Sequence, residues 1–115
     1  MARAATTSDV FNAVAEPRRR AILELVAQRE RSVGEIATAT GLAQPSVSKH
    51  LKVLHDVALV RARREGKSVL YHARGESLRP LQDWTEHFEQ LWQRQLVRIK
   101  EIAEAAETEK KENQS

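Results

Sequence analysis

The sequence predicts a mainly α fold (α+β): a winged helix-turn-helix with a two-stranded wing and a long C-terminal dimerisation helix. Three observations predict it. Gln44 to Asp56 is an amphipathic helical stretch that follows another helical segment across a short turn holding Gly41. The period then changes from helical to alternating over residues 59–73. Apolar residues at helical spacing return at Leu78 and persist for roughly 30 residues, or about 45 Å of helix.

Composition narrows the function classes. The chain has 115 residues and 41% hydrophobic residues, enough for one folded domain with a modest core. It has no cysteine, which excludes disulfides, thiolate metal sites and thiol redox sensing. No apolar run approaches the roughly 18 residues of a membrane span, and no signal-like apolar segment opens the sequence, so a cytoplasmic protein is expected. Residues 1–80 hold 14 Lys and Arg against 8 Asp and Glu, a net +6; residues 81–115 hold 5 against 8, a net −3. The basic part suits an anionic polymer, the acidic helical part a protein contact.

Residues 1–7 show no pattern and are expected to be a disordered N-terminus; the domain is expected over 8–107. Ser8 or Asp9 can cap a short helix carrying Val10, Phe11 and Val14. Pro17 ends it near Glu16 and starts the next helix, which runs to Gln28 with Ile22, Leu25 and Val26 buried and Ala21 beside them. Arg18, Arg19 and Arg20 place three cations where a helix dipole favours acids. They point either to an external anion or partner carboxylate, or to a plain solvated run.

Ser32 with Glu35 three residues later is a capping box, and the short helix it starts turns Val33, Ile36 and Ala37 inward and stops at Gly41. The Gln44 helix begins with Pro45 in its first turn and carries Val47, Leu51 and Leu54 as an apolar stripe. Its far side holds Ser46, Ser48, Lys49 and Lys52, with no acid before Asp56. Hydroxyls, an amide and cations without acids match phosphates and base edges. His50 flanks the stripe and is expected to pack rather than touch a ligand, while His55 and His72 are expected in solvent.

Leu59 to Arg64 and Ser68 to Ala73 are strand-like, joined by Glu65-Gly66-Lys67, and Arg61, Arg63, Arg64, Lys67 and Arg74 decorate this hairpin. From Leu78 to Glu107 the apolar stripe is longer than a small domain can cover, which predicts a symmetric dimer. The expected interface comprises Val10, Phe11 and Val14 with Leu81, Trp84, Phe88, Leu91, Trp92, Leu96 and Ile99. Residues 108–115 are polar and expected to be a disordered tail.

With these elements placed, the sequence resembles the ArsR-type winged-helix transcriptional regulators. The resemblance spans about Phe11 to Ile102. It is carried by VAEPRRRAILELV (Val14 to Val26), VGEIATATGLAQPSVSKHLKVLHDVALV (Val33 to Val60) and RREGKSVLYHA (Arg63 to Ala73). LRPLQDWTEHFEQLWQRQL (Leu78 to Leu96) is similar to the long-tailed subgroup without recognised metal ligands. The resemblance implies a homodimer that binds double-stranded DNA at an imperfect inverted repeat in a promoter and represses, often its own operon. It implies that Gln44, Ser46, Ser48 and Lys49 contact base edges and backbone, Lys52 a phosphate, and Arg64 and Lys67 the DNA beside the wing. Cofactors are not implied. The family's cysteine pair is absent, and Asp83 is followed by Thr85 where a zinc-binding relative has histidine. Asp83 and His87 share a helix face, but a lone helical histidine is a surface or interface residue first, so no metal is expected.

Catalysis is not expected: no nucleophile turn, no glycine-rich phosphate loop and no paired-carboxylate cleft is present. Two rival readings remain. One is a winged-helix module whose basic face meets an acidic protein; that face would then favour exposed aromatics or leucines, and it has none. The other is a regulator gated by a metal or by an unknown small-molecule effector, with Trp84, Phe88 and Trp92 lining its pocket instead of forming a dimer core.

Overall fold

A computed structural model describes residues 9–113. The expected disordered N-terminus, residues 1–7, lies outside the described residues. The elements are α1 (Val10–Val14), α2 (Pro17–Gln28), β1 (Arg31–Ser32), α3 (Val33–Thr40), α4 (Gln44–Asp56), β2 (Val60–Glu65), β3 (Ser68–Ala73), α5 (Arg79–Glu86) and α6 (Glu89–Asn113), with a 3-10 turn at Gly75–Leu78. The chain divides into two compact units between Leu81 and Gln82. Among the described residues no helix is long and apolar enough to cross a membrane.

In the first unit the Asp9 carboxylate accepts from the Asn12 amide (3.0 Å) and starts α1. The end of α1 explains the arginine run. Arg19 donates through Nε to the Ala13 carbonyl (2.7 Å), and Arg20 through Nη1 to the Val14 carbonyl (2.7 Å). A helix leaves its last carbonyls without internal partners, and two of the three cations fill that need. The run is therefore not a plain solvated one: Arg19 and Arg20 cap the end of α1.

Along α2 the buried set is Ile22, Leu23 and Val26; Leu25 is only half-buried and Ala21 is exposed. The expected face was a step off because α2 packs against α1, α3, α4 and β3, so its buried arc is set by neighbours on several sides. The capping box forms as expected. Ser32 Oγ accepts from the Glu35 amide (3.2 Å) and Glu35 Oε1 accepts from the Ser32 amide (2.9 Å). Gly41 takes φ 76°, closing α3 with its N–H on the Ala37 carbonyl (2.8 Å).

The α4 bounds and its buried stripe, Val47, Leu51 and Leu54, are as expected. Its exit was not foreseen. Leu59 donates to the Leu54 carbonyl (2.9 Å) and Ala58 to the His55 carbonyl (3.0 Å), with Ala58 at φ 61°. This is a Schellman cap whose left-handed position carries alanine where glycine is usual. Leu54 and Leu59 supply its apolar contact. Ala58→Gly is expected to raise stability by about 0.5–1 kcal/mol, because relief of the left-handed strain exceeds the added freedom of the unfolded chain. A higher urea midpoint at unchanged m-value is the check; a lower midpoint would mean that Ala58 is not strained.

A two-residue turn, Gly66-Lys67, joins β2 and β3 in register Val60↔Ala73 to Glu65↔Ser68. Gly66 has φ 61°, the positive angle a type II′ hairpin needs first. The third strand, β1, was not predicted. It pairs with the other edge of β3 (Arg31↔Tyr71, Ser32↔Leu70), giving the order β1-β3-β2.

The expected continuous helix is two helices, α5 and α6. His87 Nδ1–H donates to the carbonyls of Asp83 (3.1 Å) and Trp84 (3.0 Å), the acceptors that the amides of His87 and Phe88 would use in an unbroken helix. Those amides shift to tighter partners, His87 to Trp84 (3.2 Å) and Phe88 to Thr85 (2.9 Å), and the helix breaks. Beyond the break α6 runs to Asn113, past the expected start of the tail at residue 108. Ala105, Ala106, Glu107 and Glu109 to Glu112 are good helix formers, and polarity alone does not end a helix.

Candidate nucleic-acid interface

The exposed side of α4 follows from its buried side. With about 100° per residue, Ser48, Lys49 and Lys52 fall away from the Val47/Leu51/Leu54 stripe, whereas Gln44, seven residues before Leu51, stands in line with the stripe at the first position of the helix; all four are exposed. Ser46 stands about 200° round the helix from Ser48, on the flank shared by His50 and Val53. It is half-buried there, so of the expected contacts it is the one not displayed with the rest. The Gln44 amide nitrogen lies 3.8 Å from where a Cβ on Gly34 would sit, so α3 backs that side chain. Lys52 forms a surface pair with Asp56 (3.4 Å), which an anion of higher charge can displace.

His50 is half-buried as expected. Desolvation lowers its pKa and the nearby Arg19 adds to the effect, so burial favours the neutral ring. The positive charge of this face therefore comes from lysines. His55, expected in plain solvent, is exposed but shares a shallow notch with Ser48, Lys52, Ala62 and Tyr71, between α4 and the hairpin. One i,i+3 step from Lys52 was the signal in the sequence.

Strand alternation sorts the cations of the hairpin. Val60 is buried, so Val60, Ala62 and Arg64 share the face toward the core and α4, opposite Ala73, Tyr71 and Val69. Arg61, Arg63 and Glu65 share the other face. On that face Arg63 makes a two-pronged pair with Glu30 (Nε 2.7 Å, Nη2 2.6 Å) and a third contact with Glu65 (2.8 Å). Glu76 takes Arg61 (3.8 Å) and Arg74 (3.1 Å). The Arg63 guanidinium holds the Glu30 carboxyl below its usual range. Among the described residues, Arg64 and Lys67 are the hairpin cations with no acid at ion-pair distance. They are also the two that sequence resemblance singled out. Strand face thus separates Arg64 from Arg61 and Arg63, while Lys67 stands in the turn and Arg74 just past β3.

The expected dimer residues distribute unevenly. Val10 is buried within its own unit, beside Ala13, and is not available to a partner. Val14 and Leu81 are half-buried against the same core, whereas Phe11 is exposed. In the second unit Trp84 and Phe88 meet edge to face with ring centres 5.2 Å apart. Leu91, Trp92, Leu96 and Ile99 are all exposed on α6. The His87 ring, one turn from Asp83, holds its Nδ1–H on the Asp83 backbone carbonyl (3.1 Å).

This arrangement matches known proteins. The family model described as bacterial regulatory protein, arsR family, matches residues 16–62, from the start of α2 into β2. The transcriptional repressor SdpR of Bacillus subtilis is 30% identical over 81 residues, 70% of this chain and 90% of that protein. The HTH-type transcriptional regulator KmtR of Mycobacterium tuberculosis is 41% identical over 64% of this chain and 56% of that protein. The chain thus spans little more than half the length of that relative. Among solved structures, the homodimeric winged helix-turn-helix DNA-binding domain Mb0332 of Mycobacterium bovis is 41% identical, with a TM-score of 0.58 over 70% of this chain and 75% of that one.

Proposed function

Because the chain belongs to the arsR family of bacterial regulatory proteins, we propose that it is a sequence-specific DNA-binding transcriptional regulator, a homodimeric repressor acting at an inverted-repeat promoter site. The observation that carries this reading is the division of charge. Acids neutralise the cations on the back of the hairpin, while Ser48, Lys49, Arg64 and Lys67 stay displayed on α4 and the wing. In this reading the N-terminal part of α4 enters the major groove, with Gln44, Ser48 and Lys49 at base edges and backbone. Lys52 meets a phosphate, and Arg64 and Lys67 meet the backbone or minor groove beside it. Two such helices in a dimer enter successive major grooves about 34 Å apart.

The test is a titration of the protein against the DNA upstream of its own gene, at physiological salt with excess unrelated competitor. A competitor-resistant complex that protects two half-sites one helical turn apart supports an autoregulating dimer; loss of the complex to competitor means either that the site lies at another promoter or that a missing effector or an acidic protein partner is the true ligand. In the same assay Lys52→Ala is expected to weaken binding to all sequences alike and to reduce the salt slope by about one. Gln44→Ala is expected to cost about 1–3 kcal/mol on the preferred site and to relax its specificity. Equal scaling of specific and nonspecific binding by both changes would refute this division of roles.

A further inference from the structure

Arg63 stands next to Arg64 on β2, yet its side chain is committed elsewhere. It spans the middle strand of the sheet. Ser32, Leu70 and Arg63 form one cross-strand row, and Glu30 precedes Ser32 by two residues on the same face. From that row both prongs of the guanidinium reach Glu30, 33 residues earlier, while Nη2 also reaches Glu65 at the hairpin tip. Among the described residues β1, only two residues long, is the strand backing the outer edge of β3. The Glu30–Arg63–Glu65 cluster therefore ties β2 across β3 to the end of α2 at the level of the short β1 pairing, and through Glu65, opposite Ser68, extends beyond that pairing toward the hairpin tip.

Resting on the DNA-binding reading above, we infer that Arg63 is a positioning residue: with Glu30 and Glu65 it fixes the pitch of the wing, so that Arg64 and Lys67 meet the DNA backbone while α4 occupies the groove. Its own charge is spent on two carboxylates and makes no phosphate contact. A planar fork in a two-pronged pair holds orientation in a way that a lysine, as a point charge, does not.

The sign of one substitution separates this role from direct contact. Glu30→Gln removes a negative charge, so simple electrostatics, or release of Arg63 onto a phosphate, would tighten DNA binding. Positioning weakens it instead. Arg63→Lys keeps the charge, so a phosphate contact would survive it, whereas the clamp would not. The experiment compares wild type, Glu30→Gln and Arg63→Lys in two measurements. The first is hydrogen exchange of the β2 and β3 amides in the DNA-free protein. The second is the salt dependence of affinity for a mixed-sequence duplex. Expected are exchange at least about threefold faster near the hairpin tip, affinity lower by about three- to tenfold, and a salt slope shallower by about one or two for both variants. Unchanged exchange in both variants overturns the clamp whether or not DNA binds. Faster exchange with affinity equal to or above wild type overturns the positioning role and makes Arg63 a latent phosphate contact. Failure of the wild type to bind the duplex at low salt overturns the regulator reading and the wing's role with it, while the exchange measurement still decides the clamp.

Discussion

Leu51→Ala is expected to lower the unfolding free energy by about 3 kcal/mol, within the roughly 2–5 kcal/mol seen for leucine truncation in a packed core. Leu51 is 1% exposed and occupies the centre of the face that α4 turns inward. That face packs on α2 and α3, so the cavity left by truncation would open where all three helices meet. A domain of this size has about 5–15 kcal/mol in total, so the loss is a large share. In urea the midpoint should fall by about 1.5–3 M at an m-value of about 1–2 kcal/mol/M. Leu51→Met, which nearly conserves volume, should cost less than about 1.5 kcal/mol. Lys49→Ala, on the exposed side of the same helix, should change stability by no more than about 0.5 kcal/mol. Equal midpoints for Leu51→Ala and Lys49→Ala would mean that the two faces of α4 had been assigned the wrong way round.

That assignment was legible because α4 states itself several times over. Pro45 in the first turn, a three-residue stripe at helical spacing, and Gly41 closing the preceding helix all fix the same segment, and its bounds came out at Gln44 and Asp56. The hairpin was legible for a similar reason: alternation and a glycine agree on where the chain reverses. What escaped the sequence lies where one group answers another at a distance, or where a side chain competes with the backbone. β1 is two residues that also serve as the entry to α3, and it exists because β3 has a second edge to satisfy. The break after α5 has no glycine or proline to announce it; it follows from where the His87 ring finds its acceptors. The arginine run in α2 was visible as a conflict with the helix dipole, but its resolution needed the end of α1 folded beside it.

The interface shows the same division. Composition gives a basic hairpin, and resemblance chooses Arg64 and Lys67, but neither gives a reason. What the fold adds is pairing across the sheet: Glu30 and Glu76 pair with the other arginines, and Glu30 is 33 residues from its partner. Alternation alone would have put Arg64 with Val60 and Ala62, on the side facing α4. That part was available from the sequence once the buried residue of β2 was known.

Leu91→Glu/Ile99→Glu is expected to convert the protein from dimer to monomer and to abolish binding to an inverted repeat at concentrations where wild type saturates it. The argument begins with α6 alone. Its 25 residues make a helix of about 37 Å. Leu91, Trp92, Ile99 and Ile102 recur on one side of it, and all are exposed, Leu91 at 42% and Ile99 at 63%. A helix displaying such a stripe to water has a face that another surface can cover, and a second copy of this chain is the occupant in our reading. Burying a leucine or isoleucine contributes about 1.5–3 kcal/mol, so the four side chains removed from a symmetric pair amount to at least about 6 kcal/mol, or more than four orders of magnitude in the dimer dissociation constant. Glutamate forms helix nearly as well as leucine, so α6 itself should persist, and far-UV circular dichroism should stay close to wild type. Sedimentation equilibrium reads the mass, and the titration reads the DNA. A monomer that still binds single half-sites weakly, with ordinary salt dependence, supports a reading domain whose cooperation depends on this seam. A double variant that remains a dimer would move the seam elsewhere, with exposed Phe11 on α1 as the next residue to replace.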